Sequence, residues 1–491
     1  MEPSRRTDLR LTACFAAALA VVLFGVDADA ARRRATVQWV FGGSDEPSVA
    51  NTTRYYAPYG QGVLDPGTQR GTRRQVWTAG TIRHLFCRVA HDGANDLGDT
   101  GTLATVTLLV NGVATALSGT IRGGPGFERD CLPAPDEDVV TVAEGDTLEM
   151  QYTVVGAVHP NGRVAWAFEF RPAEPDHFVM PSGFVWPSPV PTYPRAFGYS
   201  DYVFGTPEAA TRFVSPIEGR FTKLLCKQSP PQTAGTHTYS LTREGVATAL
   251  ACRITAGSDH AAVDAPVPVS AGDSFGFLGS GSNPSSPVAG TTMATLVFVP
   301  AVSGHYFLAG TGNAGWSSSG VRFQTFDGPR AACTTERTAN ATPLAGFDGT
   351  SGEPLVEIEG MLARITTRPQ GGQGFRIELV EQPTTDDTIP PTTPRGPACV
   401  IDALCPAPPC FCTSSTPHTP LWDGAGPSWY EFRITPYGLP AAPYAQLSLH
   451  VARANEADAA AVAARAQSSP SQGQERPLVF HRHRGIDRPC E

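Results

Sequence analysis

The sequence predicts an all-β protein made of three tandem β-sandwiches, jelly-roll-like in build. The segment Gly112-Val-Ala-Thr-Ala-Leu117 recurs unchanged as Gly245-Val-Ala-Thr-Ala-Leu250, 133 positions later, so one structural unit is used more than once. Short alternating apolar runs fill the chain, and 50 glycines and 45 prolines punctuate them. Helical periodicity is almost absent before residue 453. Together these observations predict β units with one buried face.

Residues 1–30 have the features of a signal peptide. Arg5, Arg6 and Arg10 form a basic start, an apolar run covers residues 11–26, and Ala28-Asp29-Ala30 has the small-residue pattern of a cleavage site. The run is too short for a comfortable membrane span. We therefore expect a chain that is secreted, or held at the cell surface or in the periplasm, without membrane insertion.

The repeat sets the unit boundaries. The predicted units are residues 36–172, 177–300 and 305–452, the third being the most divergent copy. Each unit has roughly the length of a jelly roll, which favours that fold over the immunoglobulin-like alternative. The linkers between units are so short that neighbouring units should touch. Residues 453–491 predict a short helix followed by a mostly disordered tail.

Four dipeptides predict tight turns at matching places in the first two units. Asn111-Gly112 is a strong hairpin signal, and Glu244-Gly245 takes its place, less ideally, in the second unit. Gly145-Asp146 and Gly272-Asp273 each precede a strand, since glycine adopts positive φ cheaply and aspartate caps its own backbone. A turn is therefore favoured over a catalytic role for these carboxylates.

Cysteine usage predicts an oxidising compartment. Ten cysteines follow Cys14, an even number. Cys87 and Cys226 lie at equivalent positions, and each is followed by one cysteine before the Gly-Asp turn. The predicted disulfides are Cys87–Cys131 and Cys226–Cys252, each stapling two strands.

The third unit has its own set of cysteines. The repeat spacing places Thr367 where the first two units have cysteine. Disulfides of open connectivity are expected among the remaining cysteines rather than a metal site, because their spacing fits no regular zinc ligand set. They are Cys333, Cys399, Cys405, Cys410, Cys412 and Cys490.

Charge and motifs exclude several classes of function. The net charge is −9 and only two lysines occur, Lys223 and Lys227, which excludes a nucleic-acid-binding footprint. No nucleophile elbow, zinc-binding helix, phosphate loop or dinucleotide fingerprint is present. We predict no enzyme, no cofactor and no metal. The enzymatic alternative is a carbohydrate-active hydrolase or lyase, which needs two carboxylates opposed across a cleft.

Aromatic residues give the strongest signal of ligand binding. Flat rings on loops stack on the apolar faces of sugars, although such rings also fill the ends of β-sandwiches. The candidates for binding a surface glycan are Tyr55, Tyr56, Tyr59, Trp186, Tyr199 and Tyr202. By contrast, His177-Phe178 and His305-Tyr306 each open a unit, which suits packing between units.

The strand-and-turn motifs resemble a known repeat. Gly80 to Leu85, Val106 to Leu117 and Val142 to Asp146 are similar to a β-sandwich repeat of exported bacterial and phage-associated proteins. The pattern resembles the compact jelly rolls of phage fibres and of the tumour-necrosis-factor type. This resemblance implies a fold and no catalytic residue.

The combined prediction is a secreted, non-catalytic β-sandwich protein that serves as a surface, fibre or adhesion component. Its partner would be a surface glycan or another extracellular protein. A further hypothesis is that the three units pack around a pseudo-threefold axis, an intrachain pseudo-trimer.

Overall fold

A computed structural model describes most of the strands of the chain and the turns that join them. The described residues are 37–44, 49–62, 75–91, 102–122, 128–131, 138–156, 162–183, 190–194, 208–229, 231, 233–282, 291–311, 322–324, 342–344, 357–382, 394–415, 428–438 and 445–452. Several predictions lie outside them: the signal peptide 1–30, the tail 453–491, Trp186, Tyr199, Tyr202, Cys333 and Cys490.

The first sandwich consists of two packed sheets. Its strands are β1 (Gln38–Ser44), β2 (Thr52–Tyr56), β3 (Gly60–Gly62), β4 (Gln75–Val76), β5 (Gly80–His91), β6 (Leu103–Val110), β7 (Val113–Arg122), β8 (Glu128–Cys131), β9 (Val140–Val142), β10 (Thr147–Val155) and β11 (Gly162–Pro172). One sheet has the order β3-β1-β11-β5-β8, with β9 also on β5. The other has the order β2-β10-β6-β7, with β4 also on β10.

The second sandwich repeats this plan with fewer strands. They are β12 (Phe178–Pro181), β13 (Phe213–Val214), β14 (Gly219–Ser229), β15 (Thr236–Arg243), β16 (Val246–Thr255), β17 (His260–Val269), β18 (Ser274–Gly281) and β19 (Thr291–Pro300). A 3-10 turn, Glu208–Ala210, precedes β13. The sheets have the orders β12-β19-β14-β17 and β13-β18-β15-β16.

The third sandwich follows the same plan. Its strands are β20 (His305–Thr311), β21 (Arg322–Gln324), β22 (Thr342–Leu344), β23 (Glu357–Ile365), β24 (Gly374–Gln382), β25 (Pro394–Asp402), β26 (Cys410–Ser414), β27 (Ser428–Tyr437) and β28 (Ala445–Ala452). The sheets have the orders β20-β28-β23-β26 and β21-β27-β24-β25, and β22 pairs with β27.

Strand order identifies the fold of each sandwich. Numbered from 1 to 8 within the second sandwich, the strands form one sheet in the order 1-8-3-6 and another in the order 2-7-4-5. The first and third sandwiches keep both orders once their short extra strands are set aside. Eight antiparallel strands wound in this way form a jelly roll. The predicted fold class, all-β with three jelly-roll-like sandwiches, is confirmed.

The predicted turns form as their residues require. Asn111-Gly112 has φ values of 52° and 78°, and Glu244-Gly245 has 50° and 89°, which are the left-handed values of a type I′ hairpin. Gly145 and Gly272 also have positive φ, 89° and 91°. The aspartate after each glycine accepts a hydrogen bond from the backbone three residues earlier, at 2.8 Å in the first sandwich and 2.7 Å in the second. These carboxylates hold turns.

The repeated hexapeptide encodes a β-bulge. In β7 and β16 three consecutive residues stand opposite one residue of the neighbouring strand. The Thr115 hydroxyl donates to the Leu108 carbonyl at 2.8 Å, and the Thr248 hydroxyl donates to the Leu241 carbonyl at 2.9 Å. Each threonine thus supplies a bond that the backbone ladder loses at the bulge. Glycine for the turn and threonine for the bulge account for much of the identity between the two segments.

Replacement of Thr248 with valine is expected to lower the free energy of unfolding by about 1 kcal/mol, because a carbonyl at the bulge loses its donor. Chemical denaturation measures the change. Thr255→Val is the matched control, since Thr255 is exposed near the end of the same strand and should stay within about 0.5 kcal/mol of the parent. Equal losses in both variants would contradict the assignment.

Four disulfides join strands or close a loop in the described part of the chain. Cys87–Cys131 and Cys226–Cys252 have Cα–Cα distances of 5.1 and 6.4 Å. In the third sandwich, Cys399–Cys412 and Cys405–Cys410 have distances of 5.7 and 5.6 Å. All four distances lie in the range that an unstrained bridge needs.

The expected position of Thr367 in the repeat is wrong. Thr367 follows the end of β23, in a bend. The register of the sheet instead places Ala363 at the position of Cys226, because each lies four residues after the bulge in its strand. Sequence spacing misses this shift because the stretch before β23 has a different length from its counterpart.

Candidate functional site

Contacts between the three sandwiches use corresponding strands. β4 of the first sandwich packs against β14 and β19 of the second, and β13 of the second packs against β20 and β28 of the third. β22 of the third packs against β1 and β11 of the first. Each time, a short strand paired with strand 7 of one sandwich meets strand 8 of the next. The three contacts therefore close a ring.

Two of these contacts each contain a buried hydrogen bond at the same position. The Thr295 hydroxyl on β19 donates to the Val76 carbonyl, and the Ser448 hydroxyl on β28 donates to the Val214 carbonyl. The register gives Ala167 of β11 the same position in the first sandwich. Alanine has no hydroxyl, so this bond is not repeated where the ring closes.

Equivalent residues of the three first strands lie where the sandwiches contact one another. The residues three positions after Ala167, Thr295 and Ser448 are Phe170, Phe298 and Val451. In the sheet they are paired with Gln38, Phe178 and Tyr306 of the first strands. All three are buried. They form the set that we call the central triplet.

The central triplet joins every pair of sandwiches. The Gln38 amide donates to the Val179 carbonyl at 2.7 Å and accepts from the Val179 amide at 2.8 Å. The rings of Phe178 and Tyr306 stack with their centroids 4.8 Å apart. The Trp39 amide donates to the Tyr306 hydroxyl at 3.5 Å. The Phe178–Tyr306 stack gives the packing between units expected for the His177-Phe178 and His305-Tyr306 pairs, whereas the histidines themselves contact Glu174 and His450.

A fully buried carboxylate lies on the face of the first sandwich that meets the third. Glu169 of β11 accepts hydrogen bonds from the Nε atoms of Arg83 and Arg171 and from His84 Nδ1 at 3.0 Å. Burial raises the pKa of the Tyr306 hydroxyl, and the negative charge of Glu169 raises it further. This cluster was not among the predicted sites, because its members are brought together only by strand pairing.

Ion pairs join neighbouring sandwiches near their turns. Lys223 of β14 donates to Glu144 of the first sandwich at 2.9 Å, and this hydrogen bond raises the pKa of the lysine. Arg364 of β23, with a side chain only 7% exposed, donates to both carboxylate oxygens of Glu244 at 3.2 and 3.0 Å. The same guanidinium donates to Gln446 at 3.0 Å. Glutamate is less favourable than asparagine at this position of the hairpin turn, but it makes the contact with the third sandwich.

A double-mutant cycle with Glu244→Gln and Arg364→Met is expected to give a coupling energy of about 1 kcal/mol, because the carboxylate is partly exposed to solvent. Denaturant unfolding of the parent, both single variants and the double variant measures it. The coupling should shrink at high salt, which screens partly exposed charges. A coupling energy near zero at low salt would show that this ion pair does not stabilise the contact between the two sandwiches.

The tyrosines predicted to bind a ligand are buried. Tyr55, Tyr56 and Tyr59 are 8%, 1% and 0% exposed. The Tyr56 ring packs on Trp166 with centroids 5.5 Å apart, and Tyr59 packs on Phe41 at 5.2 Å. Their prediction as exposed binding rings is wrong, because Tyr55 and Tyr56 belong to β2 and their short segment folds into the core of the sandwich. No face of these rings is free for a sugar.

The described residues include no group of three or more histidines, cysteines or acidic residues that could hold a metal ion. Two of their three buried glutamates, Glu169 and Glu378, are engaged by cations. Glu378 accepts from Arg376 at 2.9 Å and from Arg433 at 2.7 Å. Carboxylates held in this way stabilise packing.

Comparison with known proteins gives no assignment. No family model matches the sequence, and no curated protein matches it. Among solved structures, "Crystal Structure of the STIV MCP" matches with 10% identity over 54% of this chain and 97% of the other, at a TM-score of 0.18. "The Triple Jelly Roll Fold and Turret Assembly in an Archaeal Virus" matches with 10% identity over 77% and 81%, at 0.18. "Structure of PNGF-II in C2 space group" matches with 8% identity over 53% and 65%, also at 0.18.

Similarity at that level carries no argument about fold or function. The architecture is established by the strand orders of the chain itself. Those orders and the ring of contacts define the class: a three-sandwich jelly-roll protein.

Proposed function

We propose that this chain is an exported, non-catalytic structural protein, an intrachain pseudo-trimer of jelly rolls that serves as a surface, fibre or adhesion component. The observation that carries the proposal is the central triplet, whose members make the contacts between each pair of sandwiches. Such an arrangement gives a stiff body from which loops project, and loops on a rigid scaffold suit recognition of another surface.

Export is supported by the covalent chemistry of the chain. Four disulfides lie within the described residues, and bridges of this kind persist in oxidising compartments. The predicted signal peptide agrees with that location. In the part of the chain that the structure describes, no helix is long and apolar enough to cross a membrane.

The two alternatives have less support. A glycan-binding module needs exposed rings, whereas Tyr55, Tyr56 and Tyr59 are in the core. A hydrolase or lyase needs two carboxylates opposed across a cleft, whereas Glu169 and Glu378 are buried among cations. A structural role requires neither feature.

Small-angle scattering tests the proposal. A compact body of roughly 450 residues has a radius of gyration of about 22 Å, and three sandwiches in a line would give a much larger value with separate lobes in the distance distribution. We expect one compact distribution for the secreted chain. A linear string would overturn the proposed arrangement.

The catalytic alternative has its own test. A panel of polysaccharide and glycoprotein substrates, assayed for released reducing ends, should give no turnover above a heat-denatured control. Turnover by the parent would contradict the structural proposal if Glu169→Gln or Glu378→Gln abolished it while leaving the scattering profile unchanged. An enzymatic function would then be supported.

A further inference from the structure

Three residues from three strands meet at one corner of the first sandwich. Cys87 on β5 is paired in register with Cys131 on β8, and the two form a disulfide. Gly119 on β7, in the other sheet, lies over the bridge. A Cβ atom on Gly119 would be 2.5 Å from Cys131 Sγ and 2.9 Å from Cys87 Sγ. We call this group, from strands 3, 5 and 6 of a sandwich, the clasp corner.

The clasp corner of the second sandwich contains the same three positions with different residues. Cys226 on β14 is equivalent to Cys87 in the repeat, and Cys252 on β16 lies 133 positions after Gly119, at the repeat distance. These two cysteines form the disulfide across the two sheets. Ala261 on β17 is the residue paired with Cys226.

The third sandwich has a third arrangement. Cys399 on β25 and Cys412 on β26 form the disulfide, which joins strands 5 and 6. Cys412 is paired in register with Ala363, the equivalent of Cys226. Cysteine thus occupies strands 3 and 6 in the first corner, strands 3 and 5 in the second, and strands 5 and 6 in the third.

The unbridged position always has a small side chain: Gly119, Ala261 or Ala363. The first corner gives the reason, because the disulfide fills the space that a side chain at Gly119 would need. The bridged pairs have Cα–Cα distances of 5.1, 6.4 and 5.7 Å, so each pair of positions in the corner is near enough for a bridge. One corner geometry accommodates all three pairings.

We propose that the clasp corner is a built-in covalent fastening in which any two of its three positions can hold the bridge. Its role is to fix strands at the outer edges of the two sheets, where each sheet has a strand with only one neighbour. The fastening forms when two thiols lose two protons and two electrons to a disulfide oxidant such as oxidised glutathione, which is reduced to two thiols. Reduction reverses it.

Moving the bridge of the first sandwich tests the proposal. The variant Gly119→Cys with Cys131→Ala copies the arrangement of the second sandwich. After oxidation with glutathione, we expect a bridge between Cys87 and the introduced cysteine in a non-reducing peptide map, and no more alkylated cysteine than in the parent. The midpoint of thermal unfolding should lie within about 3 °C of the parent, whereas Cys131→Ala alone should lower it by roughly 5 °C.

The matched control places the new cysteine one position away. Ser118→Cys with Cys131→Ala puts it on the neighbouring residue of the same strand, whose side chain alternates to the other face of the sheet. We expect no bridge and two additional alkylated cysteines in this control. A bridge in the control as readily as in the test variant would show that proximity in sequence suffices, and would overturn the proposal.

A reciprocal variant guards against a failure to fold. Cys252→Gly with Ala261→Cys gives the second sandwich the arrangement of the first, and a bridge between Cys226 and the cysteine introduced on β17 is expected. Folded protein with free thiols at the corner in either variant would overturn the proposal. So would misfolding of both rewired proteins under conditions in which Cys131→Ala and Cys252→Ala still fold.

Discussion

Replacement of Tyr306 with alanine is expected to lower the free energy of unfolding by about 3 kcal/mol or more, because it removes a fully buried ring. The ring stacks on Phe178 at 4.8 Å and contacts the first sandwich through the Trp39 amide. A cavity there would loosen all three sandwiches at once, since the central triplet is shared. Equilibrium denaturation measures the loss, and scattering should show an expanded particle.

Tyr306→Phe is the control for this prediction. It keeps the stacked ring and removes only a hydroxyl that accepts one long hydrogen bond, so the loss should stay near 1 kcal/mol or below. If the phenylalanine variant were as unstable as the alanine variant, stacking at the centre would not be the source of the stability. An alanine variant with parental stability would remove the central triplet from the account of the fold.

Acidification is expected to destabilise the protein strongly between pH 6.5 and 4. Burial lowers the pKa of His237 from 6.5 to about 4, and burial together with the charge of the nearby His305 lowers that of His450 to about 4. In this window the unfolded chain binds a proton at each residue and the folded chain does not, so stability falls as the pH falls. Each histidine contributes a slope of about 1.4 kcal/mol per pH unit, or about 3 kcal/mol over the window. Below pH 4 both states are protonated and the loss is complete.

The measurement is a series of denaturant titrations from pH 7 to pH 4. His237→Gln and His450→Gln should each reduce the slope of stability against pH by about 1.4 kcal/mol per pH unit, the contribution of one histidine. This reduction does not depend on the stability of the variant at pH 7. A parental slope in both buried variants would contradict the pKa assignments.

Local chemistry was the part of the fold that the sequence could predict. Asn111-Gly112 and Gly272-Asp273 form turns because positive φ and aspartate capping are properties of the residues themselves. The Cys87–Cys131 and Cys226–Cys252 bridges occur in the structure between the same cysteines that the repeat pairs.

Positions that depend on register or distant packing could not be predicted in this way. Ala363, rather than Thr367, is equivalent to Cys226, because alignment by spacing does not allow for the changed length before β23. Tyr59 resembles a loop residue in sequence, yet its ring is buried against Phe41. Gln38 gave one usable signal, a polar residue within an apolar strand. Its partner Val179 is 141 positions away, a contact that no local pattern reveals.

The central triplet also bears on how the molecule varies over time. In an assembly of three identical chains, a substitution changes all three faces together. Here each face is encoded separately, and glutamine, phenylalanine and tyrosine already occupy the three matching places. The contact between each pair of sandwiches is therefore open to selection by itself.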